Sequence, residues 1–112
     1  MLVDAPKLLW ESETGCIEAA DSSSGARIIY KDDRFLISTG FMVGTSDYEA
    51  ALTNSQDPKS SFGKILEIDW TGKSNSISIG HRNPQGLFYS PTRNLIFSTE
   101  HSIRGGDELN LK

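Results

Sequence analysis

Two polar clusters, at the two ends of residues 80–110, contain the side chains best suited to chemistry. The first is GHRNPQG, in which Arg82 and Asn83 stand side by side before a proline turn. The second is EHSIRGGDEL, in which Asp107 and Glu108 follow a Gly-Gly pair. Guanidinium and amide donors and carboxylate oxygens are groups that bind polar ligands. The sequence therefore indicates a ligand site, with one open alternative: the first cluster is only a well-formed turn that carries a surface arginine.

Other kinds of chemistry fit these residues less well. A transition-metal site would have to combine His81 and His101 with Glu100 and Glu108, and that spacing matches no familiar ligand pattern. RGGDEL has letters in common with the diguanylate cyclase signature, but that domain needs a longer α/β chain with amphipathic helices. No serine stands in a nucleophile elbow, so a hydrolase triad is not expected. His81 is expected instead to fix the turn before Arg82.

Short apolar runs between polar turns predict an almost entirely β structure around the two clusters. The run KILEID alternates only loosely, which is typical of a strand that is buried on both faces. The candidate strands are residues 7–12, 26–30, 34–39, 64–69, 76–80, 86–90, 95–99 and 107–111.

One unit occurs twice along the chain. ARIIYKDDRFLIST and GLFYSPTRNLIFST each contain a short apolar strand, a polar turn and a strand that ends in Ser-Thr, and they start 60 residues apart. Residues 41–62 form an insertion, in which a capping box at Ser46 and Glu49 predicts a short helix over 46–54. Repeated antiparallel units with a long loop predict a β-propeller. An immunoglobulin-like sandwich does not predict such a repeat.

Composition limits the possible partners. The chain has 112 residues, an apolar fraction of 37% and a net charge of −4, which gives no electrostatic reason to expect binding to nucleic acid or to an anionic membrane. Cys16 is the single cysteine, so no intrachain disulfide forms. The stretch MLVDAPKLLWES lacks the features of a signal peptide, and no apolar run approaches the length of a membrane span. We therefore expect no nucleic-acid or membrane partner.

With these motifs in view, the chain resembles the glucose/sorbosone dehydrogenase family. The resemblance covers residues 25–112 and is most specific at GHRNPQGL and GGDELNL, with further support from GKI and QDP. It implies a soluble quinoprotein aldose dehydrogenase, typically periplasmic or secreted, that carries pyrroloquinoline quinone (PQQ) and calcium and oxidises aldose sugars. The implied fold is all-β: part of a six-bladed β-propeller, with about two blades of four-stranded antiparallel sheet and a short helical insertion.

The family's propeller is several times longer than this chain, so the resemblance implies a fragment. Residues 1–25 would end a preceding blade, 26–80 would form one blade with the insertion 41–62, and 81–112 would begin the following blade. Besides an aldose sugar, the expected partners are the missing blades or other copies of the chain.

The resemblance also assigns site residues. Arg82 and Asn83 correspond to the pair that reaches the quinone oxygens of PQQ, where a fixed guanidinium and an amide donor stabilise negative charge. Calcium would be bound by main-chain carbonyls at Ser102 and Ile103, where the family has Gly-Pro. Glu108 corresponds to an acidic position that faces a second calcium site in some members, with capping of a strand entry as the alternative role.

Two positions depart from the family's catalytic pattern. Ser23 stands where the family has the histidine that removes the proton from the sugar hydroxyl, and Phe41 stands where an aspartate orients that histidine. A serine has no useful pKa for this task. Two classes of function therefore stay open: a PQQ- and calcium-dependent sugar dehydrogenase that is catalytically impaired here, and a non-catalytic propeller module that binds a ligand or a protein.

Overall fold

The computed structural model describes residues 7–12, 25–41, 48–102 and 105–112, with the backbone alone over 48–51. Within these ranges the strands and the helix are β1 Gly25–Lys31, β2 Arg34–Thr39, α1 Tyr48–Gln56, β3 Lys64–Ile68, β4 Ser74–Ile79, β5 Pro84–Ser90, β6 Leu95–Glu100 and β7 Glu108–Leu111. Strands β1-β2-β3-β4 form one antiparallel sheet, called the first sheet, and β5-β6-β7 form the second sheet. The predicted all-β structure with a short helical insertion is confirmed.

Both copies of the repeated unit are antiparallel hairpins with the same irregularity near their start. The register shifts between Gly25 and Arg27 in the first hairpin and between Pro84 and Gly86 in the second. A Cβ atom at Gly86 would overlap the hydroxyl of its cross-strand partner Thr99, which explains a glycine at that position. The two hairpins therefore share a backbone plan as well as a sequence pattern.

The prediction of a strand at residues 7–12 is wrong, because the segment is irregular and pairs with no strand of the described residues. Its apolar side chains lie across a face of the first sheet, next to Ile28, Phe35 and Ile68, and do not extend a sheet edge. The carbonyl of Leu9 closely approaches Gly72 in the β3–β4 turn. An apolar run can cover a sheet face without pairing, and a pattern of apolar residues alone does not distinguish the two cases.

The helix α1 is described over Tyr48–Gln56 and ends two residues later than predicted, at Gln56. The capping-box residue Ser46 lies outside the described residues. In the described part of the chain, no helix has both the length and the apolar character needed to cross a membrane.

The core lies between the inner faces of the two sheets. Leu36 and Ile65 of the first sheet pack with Leu87 and Ile96 of the second, and Ile29, Ile77 and Tyr89 flank them. A buried hydroxyl joins the sheets as well, because Ser38 Oγ donates to the carbonyl of Pro84 at 2.7 Å. The second sheet therefore has a fixed position on the first.

The outer faces of both sheets carry exposed apolar side chains. On the first sheet Ile28 is 62% exposed and Tyr30 55%, and on the second sheet Phe88 is 61% exposed and Leu111 61%. Stacked sheets in repeat architectures bury such faces against their neighbours.

A chain of these residues alone should therefore self-associate, or fold poorly, because apolar faces in water favour association. Light scattering at low protein concentration, combined with thermal unfolding, measures this directly. A monodisperse monomer that melts cooperatively would contradict the expectation.

A buried lysine fixes the end of the helical insertion. Lys64, at the start of β3, is 0% exposed. Its ammonium group donates to the carbonyls of Asn54 at 2.8 Å, Ser55 at 2.9 Å and Phe62 at 2.6 Å. The last carbonyls of a helix lack intrahelical partners and carry partial negative charge, so a cation is favourable there. Lys64 thereby attaches the end of α1 to the first sheet.

We predict that Lys64→Met lowers the free energy of unfolding by about 3 kcal/mol or more, since three carbonyls lose a charged donor. The measurement is denaturant unfolding of the longest natural protein that carries this sequence, called the parent protein below. Lys73→Met, in the exposed β3–β4 turn, is the matched control. Equal losses in the two variants would contradict this role for Lys64.

Candidate functional site

The segment of residues 80–83 connects β4 to β5 and carries the first polar cluster. Its backbone is hydrogen-bonded at every residue, to elements on both sides of it. The contacts are Gly80 N to Ser55 O at 2.8 Å, His81 N to Gly63 O at 3.0 Å, Phe41 N to Arg82 O at 2.9 Å and His101 N to Asn83 O at 3.3 Å. This segment, residues 80–83, is called the connector below. Its backbone is irregular but is hydrogen-bonded as fully as that of a strand.

A buried carboxylate organises this connector. Glu100, the last residue of β6, is 8% exposed. Its Oε2 accepts from the backbone N–H of Arg82 at 2.9 Å, and its Oε1 accepts from Asn110 Nδ2 at 3.1 Å and lies 3.1 Å from His81 Nδ1. His81 Nε2 lies 2.7 Å from the hydroxyl of Ser78. A polar network therefore runs from β4 through the connector to β6 and β7.

The environment of Glu100 lowers its pKa. Burial alone raises the pKa of a carboxyl group, and at Glu100 the hydrogen bonds from His81 and from the Arg82 backbone, with the charge of His81, outweigh that burial. Glu100 is thus a carboxylate at neutral pH.

The side chain of Arg82 is held on two sides. Its Nη1 donates to the carbonyls of His101 at 3.1 Å and Ser102 at 3.2 Å. The guanidinium carbon stands 5.7 Å from the ring centre of Phe41, within cation–π range. The Nε atom is buried and has no hydrogen-bond partner among the described residues. An unpaired buried donor is costly, and such a donor in a native protein is a candidate ligand contact.

Asn83 has a structural contact in addition to any ligand role. Its side chain is buried, and its Oδ1 accepts from the backbone N–H of Gly25 at 3.1 Å. Gly25 begins β1, with φ at 71°. Asn83 therefore ties the connector to the first strand of the first sheet.

The second polar cluster borders a groove of about 520 Å³ on the second sheet. His101 Nδ1 lies 3.4 Å from Asp107 Oδ2, and its Nε2 lies 3.2 Å from Gln85 Oε1. Asp107 also accepts from the backbone N–H of Ser102 at 3.2 Å. Arg82 joins the two clusters through the carbonyls of residues 101 and 102, so the structure brings together what the sequence places apart.

The imagined transition-metal site does not form. His81 pairs with Glu100 and His101 pairs with Asp107, so the two histidines have different carboxylate partners. Over the described ranges, no three His, Cys, Asp or Glu side chains converge as a metal-binding group.

Of the residues assigned to calcium, two lie in the described part of the chain. The carbonyl of Ser102 accepts from Arg82, and the exposed carboxylate of Glu108 accepts from Asn110 Nδ2 at 3.1 Å. Ile103 lies outside the described residues.

Ser23, assigned to the position of the family's base, also lies outside the described residues. Phe41 is 1% exposed and packs against Arg82, so this position carries an apolar wall and no orienting carboxylate.

Sequence reasoning missed the structural role of Glu100, for which a signal existed. Residues two apart in a strand share a face, so Glu100 falls on the same side of β6 as Ile96 and Ser98. All three are buried. A carboxylate on a buried face requires partners, and the His81 ring is one that the structure supplies.

Comparison with known proteins places this geometry in a family. The sequence model of the family described as Glucose / Sorbosone dehydrogenase matches residues 3–112. Over 34 residues, or 30% of its length, the chain is 62% identical to the uncharacterised protein slr1608 of Synechocystis sp.. Over 34 residues it is also 50% identical to the aldose sugar dehydrogenase YliI of Escherichia coli. Those matches span 8% and 9% of the two relatives.

Solved structures give a longer match. A proposed oxidoreductase (glucose dehydrogenase) from Thermus thermophilus has a TM-score of 0.67 and 34% identity over 80% of this chain. The soluble aldose sugar dehydrogenase of Escherichia coli has a TM-score of 0.62 and 26% identity over 77% of it. The chain covers 30% and 27% of those two structures. The predicted β-propeller architecture is confirmed, with this chain as part of it.

We predict that the stability contributed by Glu100 depends on pH. Because its folded pKa lies below the ordinary value of 4.5, the contribution is fully present above pH 4.5 and disappears as the pH falls through the folded pKa. The difference in unfolding free energy between the parent protein and its Glu100→Gln variant should shrink on acidification. A difference that grows with acidification would contradict the assignment.

Proposed function

This chain belongs to the glucose/sorbosone dehydrogenase family, and we propose that it forms part of a PQQ-dependent aldose dehydrogenase. The segment 80–83 contributes one wall of the cofactor site. As for blade limits, the proposed division is 1–25, 26–80 and 81–112, with the insertion 41–62 inside the second part. The remaining blades, or further copies of the chain, would complete the pocket.

The observation that carries the proposal is the held guanidinium of Arg82, whose buried Nε has no hydrogen-bond partner among the residues that the structure describes. PQQ, when bound, would supply the acceptor for the hydride of the sugar, and Arg82 would stabilise negative charge on its quinone oxygen. Arg82 fits such an oxygen, because its guanidinium forms no ion pair within the described ranges and is already held by two carbonyls. A fixed donor needs little reorganisation when charge develops, which is the basis of electrostatic stabilisation in catalytic sites. Asn83 is proposed as the neighbouring amide contact.

Calcium fits the described residues poorly. Calcium takes six to eight oxygen ligands, whereas the described residues of the assigned set offer the Ser102 carbonyl and the Glu108 carboxylate. The Ser102 carbonyl already accepts from a guanidinium cation at 3.2 Å, and a second cation at the same oxygen would be repelled by the first. No part of the proposed chemistry is therefore assigned to calcium.

The proton of the sugar hydroxyl needs an acceptor, and the candidate positions lack one. Ser23 cannot serve as a base near neutral pH, and a missing general base typically costs 10²- to 10⁴-fold in rate. We therefore propose that aldose oxidation is impaired. The burial of Phe41 against Arg82 favours the second candidate function, a propeller module that binds PQQ or another anionic ligand without turnover.

We predict that Arg82→Gln in the parent protein raises the dissociation constant for PQQ by about 10- to 100-fold, the value of one or two charge-assisted hydrogen bonds. Equilibrium titration of PQQ measures this. Arg93→Gln is the matched control, since Arg93 is exposed in the β5–β6 turn of the same sheet. If both variants bind PQQ as the unaltered protein does, the cofactor proposal fails.

We also predict that these residues alone do not turn over aldoses, and that the parent protein is slow. A dye-reduction assay with PQQ, calcium and a panel of aldoses measures both. The double substitution Ser23→His with Phe41→Asp should raise the rate of the parent, because it supplies a base and its orienting carboxylate. Robust turnover by the isolated chain would contradict the impaired-enzyme interpretation. So would a parent protein that oxidises aldoses as fast as active family members and keeps that rate after Ser23→Ala.

A further inference from the structure

The burial of the Glu100 carboxylate has an unfavourable free energy. A carboxylate with a side chain 6% exposed has lost most of its hydration, and burial of a charge is unfavourable unless good partners replace the water. An apolar side chain at the end of β6 would pack at lower cost, and replacement of buried charges by apolar residues is often neutral or stabilising. The contacts of Glu100 therefore need an explanation besides stability.

Those contacts act on the backbone that carries Arg82. Oε2 holds the peptide N–H of Arg82, and Oε1 lies within hydrogen-bond distance of the ring of the preceding residue, His81. The guanidinium of Arg82 then donates to the carbonyls of the two residues that follow Glu100 in the chain. The peptide N–H and the guanidinium of Arg82 are thus both held by one short segment, residues 100–102.

Glu100 binds Arg82 without neutralising its charge. Its carboxylate contacts the peptide N–H, while the guanidinium contacts two neutral carbonyls and the ring of Phe41. Among the described residues no carboxylate forms an ion pair with Arg82. The cation is held in place and keeps its capacity to attract a ligand anion, which a direct salt bridge would diminish.

We propose that Glu100 is a positioning residue, which sets the direction of the Arg82 side chain toward a bound anionic ligand through the Arg82 peptide and the His81 ring. The identity of that ligand as PQQ rests on the proposed function, but the positioning itself does not. His81 adds a second attachment, because its Nδ1 lies 3.1 Å from the Glu100 carboxylate and its Nε2 lies 2.7 Å from the hydroxyl of Ser78, so the connector is also tied to β4.

The test is a double-mutant cycle in the parent protein, with Glu100→Gln, Arg82→Gln and the double variant, read as the dissociation constant for PQQ. Glutamine keeps the shape of Glu100 but has one acceptor oxygen, so it cannot accept hydrogen bonds from both the Arg82 peptide N–H and the His81 ring. Glu67→Gln is the control, because Glu67 is a half-buried carboxylate of the first sheet that pairs with Arg34. If Glu100→Gln does not fold, Glu100→Asp takes its place in the cycle.

We expect Glu100→Gln to weaken PQQ binding by about 10- to 100-fold, the range for partners that orient a ligand-binding group. In the Arg82→Gln background the same substitution should change binding less than about twofold, because a residue that acts through Arg82 has no effect once Arg82 is gone. Additive effects in the cycle, or an effect of Glu67→Gln as large as that of Glu100→Gln, would overturn the inference.

A second readout needs no cofactor. Hydrogen exchange at the Arg82 backbone amide should accelerate at least about tenfold in Glu100→Gln relative to the unaltered protein, since the acceptor of that amide changes. If the unaltered parent binds no PQQ, the proposed function fails, and this exchange rate alone decides the positioning role. Unchanged exchange at Arg82 would overturn it.

Discussion

The arrangement of the site depends on the buried carboxylate of Glu100. Because the carboxylate is removed from water, it must find its donors in the protein, and it finds them in the connector and in β7. That requirement fixes an irregular segment where the two sheets meet. The same segment carries Arg82, so the demand for hydrogen bonds at a buried charge becomes a constraint on a ligand-binding side chain.

The strands could be predicted from the sequence because their signals are local. Alternating apolar residues and polar turns gave β1 to β7, and the repeated hairpin indicated the propeller. Residues 7–12 show the limit of this reasoning. Leu9 and Trp10 lie beside a sheet face without pairing, and no local pattern shows whether an apolar segment pairs with a sheet edge or packs on a sheet face. The exact range of α1 depends in addition on Lys64, whose contact with the helix end is a tertiary interaction.

The candidate site could be predicted in part. The HRNP motif identified Arg82, and in the described part of the chain its Nε is a buried donor without a hydrogen-bond partner. Its contact with the carbonyls of His101 and Ser102 could not be predicted, because it requires the packing of the connector beside β6. Asn83 has a further role that the motif does not reveal, since its side chain holds the start of β1. Phe41 follows the same rule: its apolar character was evident, and its position against the guanidinium was not.

The family resemblance and the contacts in the structure both indicate Arg82 as the ligand-binding residue, and we propose that it contacts the cofactor. A crystal structure of the parent protein with PQQ bound tests that contact directly. The account predicts a quinone oxygen within about 3 Å of a nitrogen of the Arg82 guanidinium, at hydrogen-bonding distance, with Glu100 still bonded to the Arg82 peptide. PQQ bound away from Arg82, or a guanidinium turned away from the quinone, would contradict it.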